Sequence, residues 1–400
     1  MIATLGANIG TGDELNALGF LSVSSTEADA QISATEDCSF TGLGFNYIGG
    51  ASGTNTLQFR DAGANGQNVA SRAGTGVAED TTHTDTLTAA DLFNLAHTDN
   101  GTDPSGGHIK MNVEMASGHG NFHGATSYNG SVHDAQSATR FLAIAGGLGT
   151  DGTDTEALVS VRNRAYDSIA ALQVRVKANA RTNDSVFGFR ANNASIASTA
   201  ITFAAAETGL KTVTGLSDAL TLGQDINAYL TLLTGVEDLT VSFVVATLKS
   251  STGKSDSYAH AGVAGLARAA SATEHFFPIG GRMLTTTTFT EAQSRIKPGF
   301  AATVGFPRIR NSANTYSTDG TLTLYVNGVA ALTQAITAGA GAAVHENTAD
   351  TVVIDADDEL SWGIVGGGTG SITMQGLGVT FSPIAAGGST SKHLLLLGCG

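Results

Sequence analysis

Proline, tryptophan, cysteine and charge are all scarce in this chain, and each scarcity excludes something. Five prolines and a 42% hydrophobic content rule out a proline-rich linker or a disordered polar chain, which needs low hydrophobicity and high net charge. Two cysteines, Cys38 and Cys399, lie at opposite ends, so there is neither a disulfide framework nor a CxxC zinc pattern. Only 14% of the residues are charged, against about 25% in ordinary globular chains. With 20 Lys and Arg against 35 Asp and Glu, a net charge of −15 and no basic stripe, the chain is a poor partner for phosphate backbones. No apolar run approaches the ~18 residues of a membrane-spanning helix. The opening "MIATLGANIGTGDELN" lacks the basic-then-apolar order of a secretory signal and reads as no signal peptide.

Glycine fills part of the gap, at 51 residues, alongside alanine, threonine and serine. Such a composition suits many short strands joined by small-residue turns. A chain of this length also invites a search for internal repeats. The triplet Thr-Glu-Ala begins at Thr26, Thr155 and Thr290. Each copy is preceded by an apolar segment led by an aromatic residue: "GFLSV" (19–23), "FLAIAGG" (141–147) and "FFPIGG" (276–281). Alternating segments follow each triplet in the same order: "GLGFNYI", "ALQVRVK" and "FPRIRN", then "TLQFRDAG", "VFGFRANN" and "LTLYVNGV". Arg60, Arg190 and Val326 fall 34, 35 and 36 residues after their triplet threonines. Each copy closes on a long alternating run: "HIKMNVEM", "DLTVSFVV" and "SITMQGLGVTF".

Alternation with period two marks half-buried antiparallel strands. Six to eight strands in roughly 110 residues describe a β-sandwich. The expected fold is therefore all-β: three tandem antiparallel sandwiches, jelly-roll or immunoglobulin-like. The expected boundaries are an arm at 1–14, sandwiches at 15–115, 138–248 and 272–383, polar Gly/Ser/His-rich linkers at 116–137 and 249–271, and a terminal strand within 384–400. The last stretch, "STSKHLLLLGCG", aligns in character with "SATEHFFPIGG" from Ser271. It reads as the opening strand of a fourth unit that was never built. Leu394, Leu395, Leu396 and Leu397 are thus expected to pair with an earlier sandwich or with another chain, because an unpaired apolar strand invites edge pairing.

The candidates for chemistry each have a structural alternative. Asp99, Asn100 and Asp103 crowd around a glycine in "HTDNGTDPSGG". Hard oxygens at such spacing suit calcium, and the same residues cap turns. "DADDE" (355–359) is a second such cluster, and Asp91, Asp225 and Asp358 hold matching places in the three copies, which argues for turns. His119 and His123 in "HGNFH" have the four-residue spacing of metal ligands, but they stand among glycines and read as an exposed linker. "GGGTG" (366–370) lacks the lysine of a phosphate loop and reads as a hairpin turn. No nucleophile–base set emerges, so no enzyme and no cofactor other than calcium is expected.

The "TLTLYVNGVAAL", "DTVVIDADDELSW" and "GSITMQGLGVTF" series and the "LLLLGCG" ending resemble structural proteins of tailed-bacteriophage virions: head decoration or fibre proteins, turrets and tail appendages built of tandem sandwiches. The resemblance implies a non-enzymatic structural component that binds other virion proteins and itself, as a homo-oligomer such as a trimer. It places the chain in the virion, assembled in the host cytoplasm. Two other readings stand beside it: a carbohydrate-binding adhesin contacting surface glycans, and a filament subunit joined by strand exchange.

Overall fold

The computed structural model describes residues 2–4, 13–15, 23–24, 26–102, 106–117, 120–127, 131–132, 139–148, 153–232, 238–262, 264–283, 290–384 and 393–397. It is an all-β fold whose described strands form six sheets, and these fall into three pairs with one repeated wiring. In one sheet of each pair a long strand runs between a closing strand and a return strand. The trios are Gly106–Met115, Cys38–Gly49 and Gly76–Leu87; Leu239–Lys249, Ser168–Asn179 and Gly209–Val213; and Ser371–Pro383, Ala302–Asn314 and Ala343–Glu346. In the other sheet an opening strand precedes a strand laid against a hairpin. The openers are Asp13–Leu15, Thr139–Leu142 and His275–Phe277, and the hairpins are 54–73, 185–203 and 320–336. Pairing is antiparallel except where Gly146–Leu148 and Gly281–Arg282 each add a short parallel strand.

Inward-facing residues of the two sheets meet within each pair. In the first, Phe40 of the five-stranded sheet packs on Phe59 and Phe93 of the six-stranded one at centroid distances of 5.0 and 4.8 Å. In the third, Trp362 is fully buried in the core, which removes the one tryptophan as a sugar-stacking surface. The apolar clusters do not divide by pair. One cluster runs through the first and third and takes in Phe122, Phe243 and Val245 from the second; the other fills the rest of the second and includes Tyr258.

The triplets turn out to be short helical turns: Glu27–Ala30, Glu156–Leu158 and Glu291–Ser294. Four residues or fewer carry too little periodicity to show in sequence. Each triplet glutamate anchors its turn through an arginine. Glu27 binds Arg60 at 3.1 Å, Glu156 binds Arg190 at 2.7 Å, and Glu291 accepts from Arg295 Nε at 2.6 Å and Ser361 at 2.9 Å. The hairpin turns begin after Asp61, Ala191 and Val326. The true counterpart of Arg60 and Arg190 is therefore Tyr325, one residue before the expected Val326. The acidic match slips by one as well. Asp91 and Asp358 cap the N–H groups of Thr88 and Asp355, but in the second pair Gln224, not Asp225, caps Thr221 in the same way.

The stretches expected to be polar loops hold strands. Gly120–Ser127 pairs with the closing strand of the second pair, from Gly120 opposite Lys249 to Thr126 opposite Phe243. Ser255–His260 pairs with that of the third, from Ser255 opposite Phe381 to His260 opposite Gly376. His393–Leu397 pairs with that of the first, from His393 opposite Val113 to Leu397 opposite Ile109. Each pair thus hands a strand to the next, and the third hands one back to the first. The terminal strand therefore corresponds to Gly120–Ser127 and Ser255–His260. It does not correspond to the openers Thr139–Leu142 and His275–Phe277, which pair in the other sheet of each pair.

Candidate functional site: the junctions between sheet pairs

The same ring is closed a second time by loops. The residue six positions after each triplet glutamate is Ser33, Arg162 or Lys297. In all three places its backbone carbonyl accepts a hydrogen bond from the next pair in the ring. Gln173 Nε2 donates to Ser33 O at 2.8 Å, Tyr258 Oη to Arg162 O at 3.2 Å, and Lys110 Nζ to Lys297 O at 3.2 Å. Because the triplet turn fixes where the chain leaves the sandwich, the carbonyl arrives at an equivalent place each time. What meets it differs in chemistry.

The first-to-second junction is neutral at its centre. Gln173 returns the contact, its Oε1 accepting from Ser33 N–H at 3.0 Å, so one buried amide satisfies a whole peptide edge. Thr35 meets Thr247 at 3.0 Å. Charged pairs flank that contact: Lys249 Nζ lies 2.9 Å from Glu36, and Asp29 lies 3.1 Å from Lys177 Nζ and 3.9 Å from Arg175 Nε.

The second-to-third junction is built on a buried carboxylate. Asp256 is 1% exposed, accepts from Arg164 N–H at 2.8 Å, Tyr258 Oη at 2.6 Å and Thr380 Oγ1 at 2.5 Å, and forms an ion pair with Arg308 Nη2 at 3.0 Å. Its own N–H donates to Tyr166 Oη at 3.0 Å, which also meets Asn121 Nδ2 at 3.1 Å and His123 Nε2 at 2.6 Å. Burial pushes the His123 imidazole down to about 4; burial, helped by the Asp256 charge, pushes the Tyr166 phenol well up. Arg164 and Arg310 add pairs to Glu346 and Asp225. His123, expected in an exposed linker, is thus a core member of this network, while His119 lies outside the described residues.

At the third-to-first junction Lys110 carries the charge, 2.7 Å from Glu79. Burial lowers its ammonium, with the Glu79 charge opposing. His108 Nε2 lies 3.0 Å from Gln293 O, and burial holds its imidazole down to about 4. Asn112 sits between Gly42 and Gly299, both at positive φ; a Cβ on either would stand 2.9 Å from its Nδ2. Both glycines are there for that close approach as much as for the turn.

The arrangement favours joining over catalysis. His123, Tyr166, Asp256 and Arg308 are buried and directed at one another, and burial moves the His and Tyr away from neutral pH, the reverse of a poised general base. Of the calcium candidates, Asp99 Oδ1 caps its own turn, accepting from Gly101 N–H at 3.1 Å, while Asn100 Oδ1 crosses to accept from Thr54 N–H at 2.6 Å; Asp103 lies outside the described residues. Leu394–Leu397 are placed by their backbone on Ile109–Asn112. Sequence reading missed Gln173, Asp256 and Lys110. They carry no motif, and the partners they meet across the joints are remote in sequence: Gln173 and Ser33 are 140 residues apart, Lys110 and Lys297 are 187 apart, and Asp256 and Arg164 are 92 apart.

No family model matches the chain, and no curated protein matches it. Among solved structures it is similar to the VP2 subviral particle of infectious bursal disease virus, at 13% identity over 68% of this chain and 70% of that one, with a TM-score of 0.21. The Gx strain of the same virus gives 13% identity, 68% and 73% coverage and a TM-score of 0.19. PNGF-II gives 8% identity, 87% and 99% coverage and a TM-score of 0.20. Overlays this loose do not establish a shared fold.

Proposed function

We propose that the protein is a non-enzymatic structural component of a virus particle, of the tailed-bacteriophage decoration, fibre, turret or tail-appendage kind. In this reading the sandwiches at 15–115, 138–248 and 272–383 act as three fused subunits of a trimer-like ring, with Leu394–Leu397 as part of its closure. The observation that carries it is the double cyclic closure: three strands and three loop carbonyls, each passed to the next sheet pair. A ring that places its buried polar groups in joints suits a part that must survive assembly. The low-charge, small-residue composition of the chain supports the same reading.

The test is mass spectrometry and electron microscopy of density-banded particles from lysates containing the protein. The expected result is a fixed copy number per particle and compact three-lobed density. Protein that remains wholly in the soluble fraction, or a hydrolase activity abolished by one carboxylate substitution, would sink the proposal. Glycan binding by purified monomers would favour the adhesin instead. Among the described residues, however, the large exposed hydrophobics are Val69, Val77, Leu222, Val329, Val353 and Ile384, none of them an aromatic stacking platform.

A further inference from the structure

Of the three donated strands, two are held from both sides. Gly120–Ser127 is followed by Ser131–Val132, and both pair with Leu239–Lys249. Ser255–His260 is followed by Leu266–Ala269, and both pair with Ser371–Pro383. To leave its acceptor, either strand would have to drag a second one off with it. His393–Leu397 has no described strand after it on Gly106–Met115. There the companion strand is Ile2–Thr4, from the far end of the sequence. In sequence His393–Leu397 is joined to Ile384 by Ala-Ala-Gly-Gly-Ser-Thr-Ser-Lys, residues 385–392, and eight residues span at most about 26–29 Å.

We infer that the His393–Leu397 seam can also form between molecules, and that the partner is a second copy of this chain, whose own 393–397 segment occupies the Gly106–Met115 acceptor in the same register. A second copy is the fitting occupant because it presents the same five residues to the same backbone ladder, from Val113 opposite His393 to Ile109 opposite Leu397. Exchange of an identical element loses no native contact, which makes it a low-cost route to oligomers. A short tether gives the cis strand an effective concentration on the order of mM. Dilute chains therefore close on themselves. Exchange becomes competitive when copies are crowded to that level or are held side by side in an assembly. This inference does not depend on the virion reading and would apply equally to a filament.

The experiment compares the full chain with a chain ending at Ser391. Both are unfolded in urea, refolded at about 1 mM or about 1 µM, diluted, and sized by light scattering. A synthetic 389–400 peptide is titrated onto the shorter chain. Saturable binding, absent for a scrambled peptide, certifies that this chain is folded with its acceptor open. If it does not fold, a protease site placed in 385–392 of the full chain and cut after folding supplies the same open acceptor. The expected result is dimers and larger species from the full chain refolded at high concentration only, persisting on dilution, with monomers throughout from the shorter chain. Monomers under every condition from the full chain would overturn the inference, as would equal oligomers from the chain lacking the strand.

Discussion

The first-to-second and second-to-third junctions solve one geometric problem with opposite chemistry. Both satisfy the carbonyl six residues after the triplet glutamate. One does so with a neutral glutamine bonded twice to Ser33; the other uses a tyrosine held by a buried aspartate and its arginine. The difference shows that the fold dictates where a donor must stand and leaves open what it is. It also predicts unequal fragility. A neutral joint that loses a member leaves polar groups unpaired, whereas a charged one leaves a buried ion.

The largest effect is therefore expected for Asp256→Asn. Arg308, 3% exposed, would keep its charge and lose its counter-ion, a loss of about 3–5 kcal/mol in urea unfolding. Adding Arg308→Met should recover much of it, since a paired deletion removes the stranded charge. A single substitution as mild as a surface change would show that the network is hydrated and that the two joints are alike.

Next is acid. His123 and His108 have folded values of about 4, below the ordinary 6.5. Between pH 6.5 and 4 the unfolded chain binds protons that the folded one refuses. Stability is then present above 6.5 and lost as pH falls through that window, by about 3 kcal/mol for each histidine on reaching pH 4. His123→Gln and His108→Gln should each remove their share of the slope. Neither group takes part in the Ser33–Gln173 contact, so a slope that survives both substitutions would have to come from elsewhere.

The neutral joint should yield less. Gln173→Ala leaves Ser33 N–H and O without their partner and should cost about 1–3 kcal/mol, with no change in pH slope. A cost equal to that of Asp256→Asn would erase the distinction between the joints.

How much of this could be read from sequence follows from the same physics. Strands with one wet face announce themselves by alternation: Cys38–Gly49 and Thr54–Asp61 are legible in "GLGFNYI" and "TLQFRDAG". Donated strands do not. All six residues of Ser255–His260 are buried, so "SDSYAH" shows no period of two, and its polar side chains, which line a joint, imitate a loop. Gly120–Ser127 is built of glycine, histidine and small residues and hides in the same way. Offsets from the triplet point to Val326 and Asp225, one residue beyond Tyr325 and Gln224, because turn geometry and not residue count sets the equivalence. The Leu394–Leu397 strand was visible as an element, yet its acceptor lies some 280 residues away along the chain, and nothing local encodes such a pairing.

The smallest effect is expected at the rim of the neutral joint, and it separates position from charge. Lys249 and Glu36 pair at 2.9 Å, with side chains 32% and 21% exposed. Water screens such a pair, and ordering a lysine side chain offsets part of the attraction, so Lys249→Gln should cost no more than about 1 kcal/mol. Salt makes the distinction sharper. Near 1 M ionic strength the screening length falls to about 3 Å, and the Lys249→Gln chain should then unfold at the same urea concentration as its parent. The Asp256→Asn penalty should survive the same salt, because ions do not reach a carboxylate enclosed by Arg164, Tyr258, Arg308 and Thr380. Parallel unfolding curves at low and high salt decide the matter. If both penalties fade together, the buried joint is open to solvent and the contrast between the junctions is one of residue type alone.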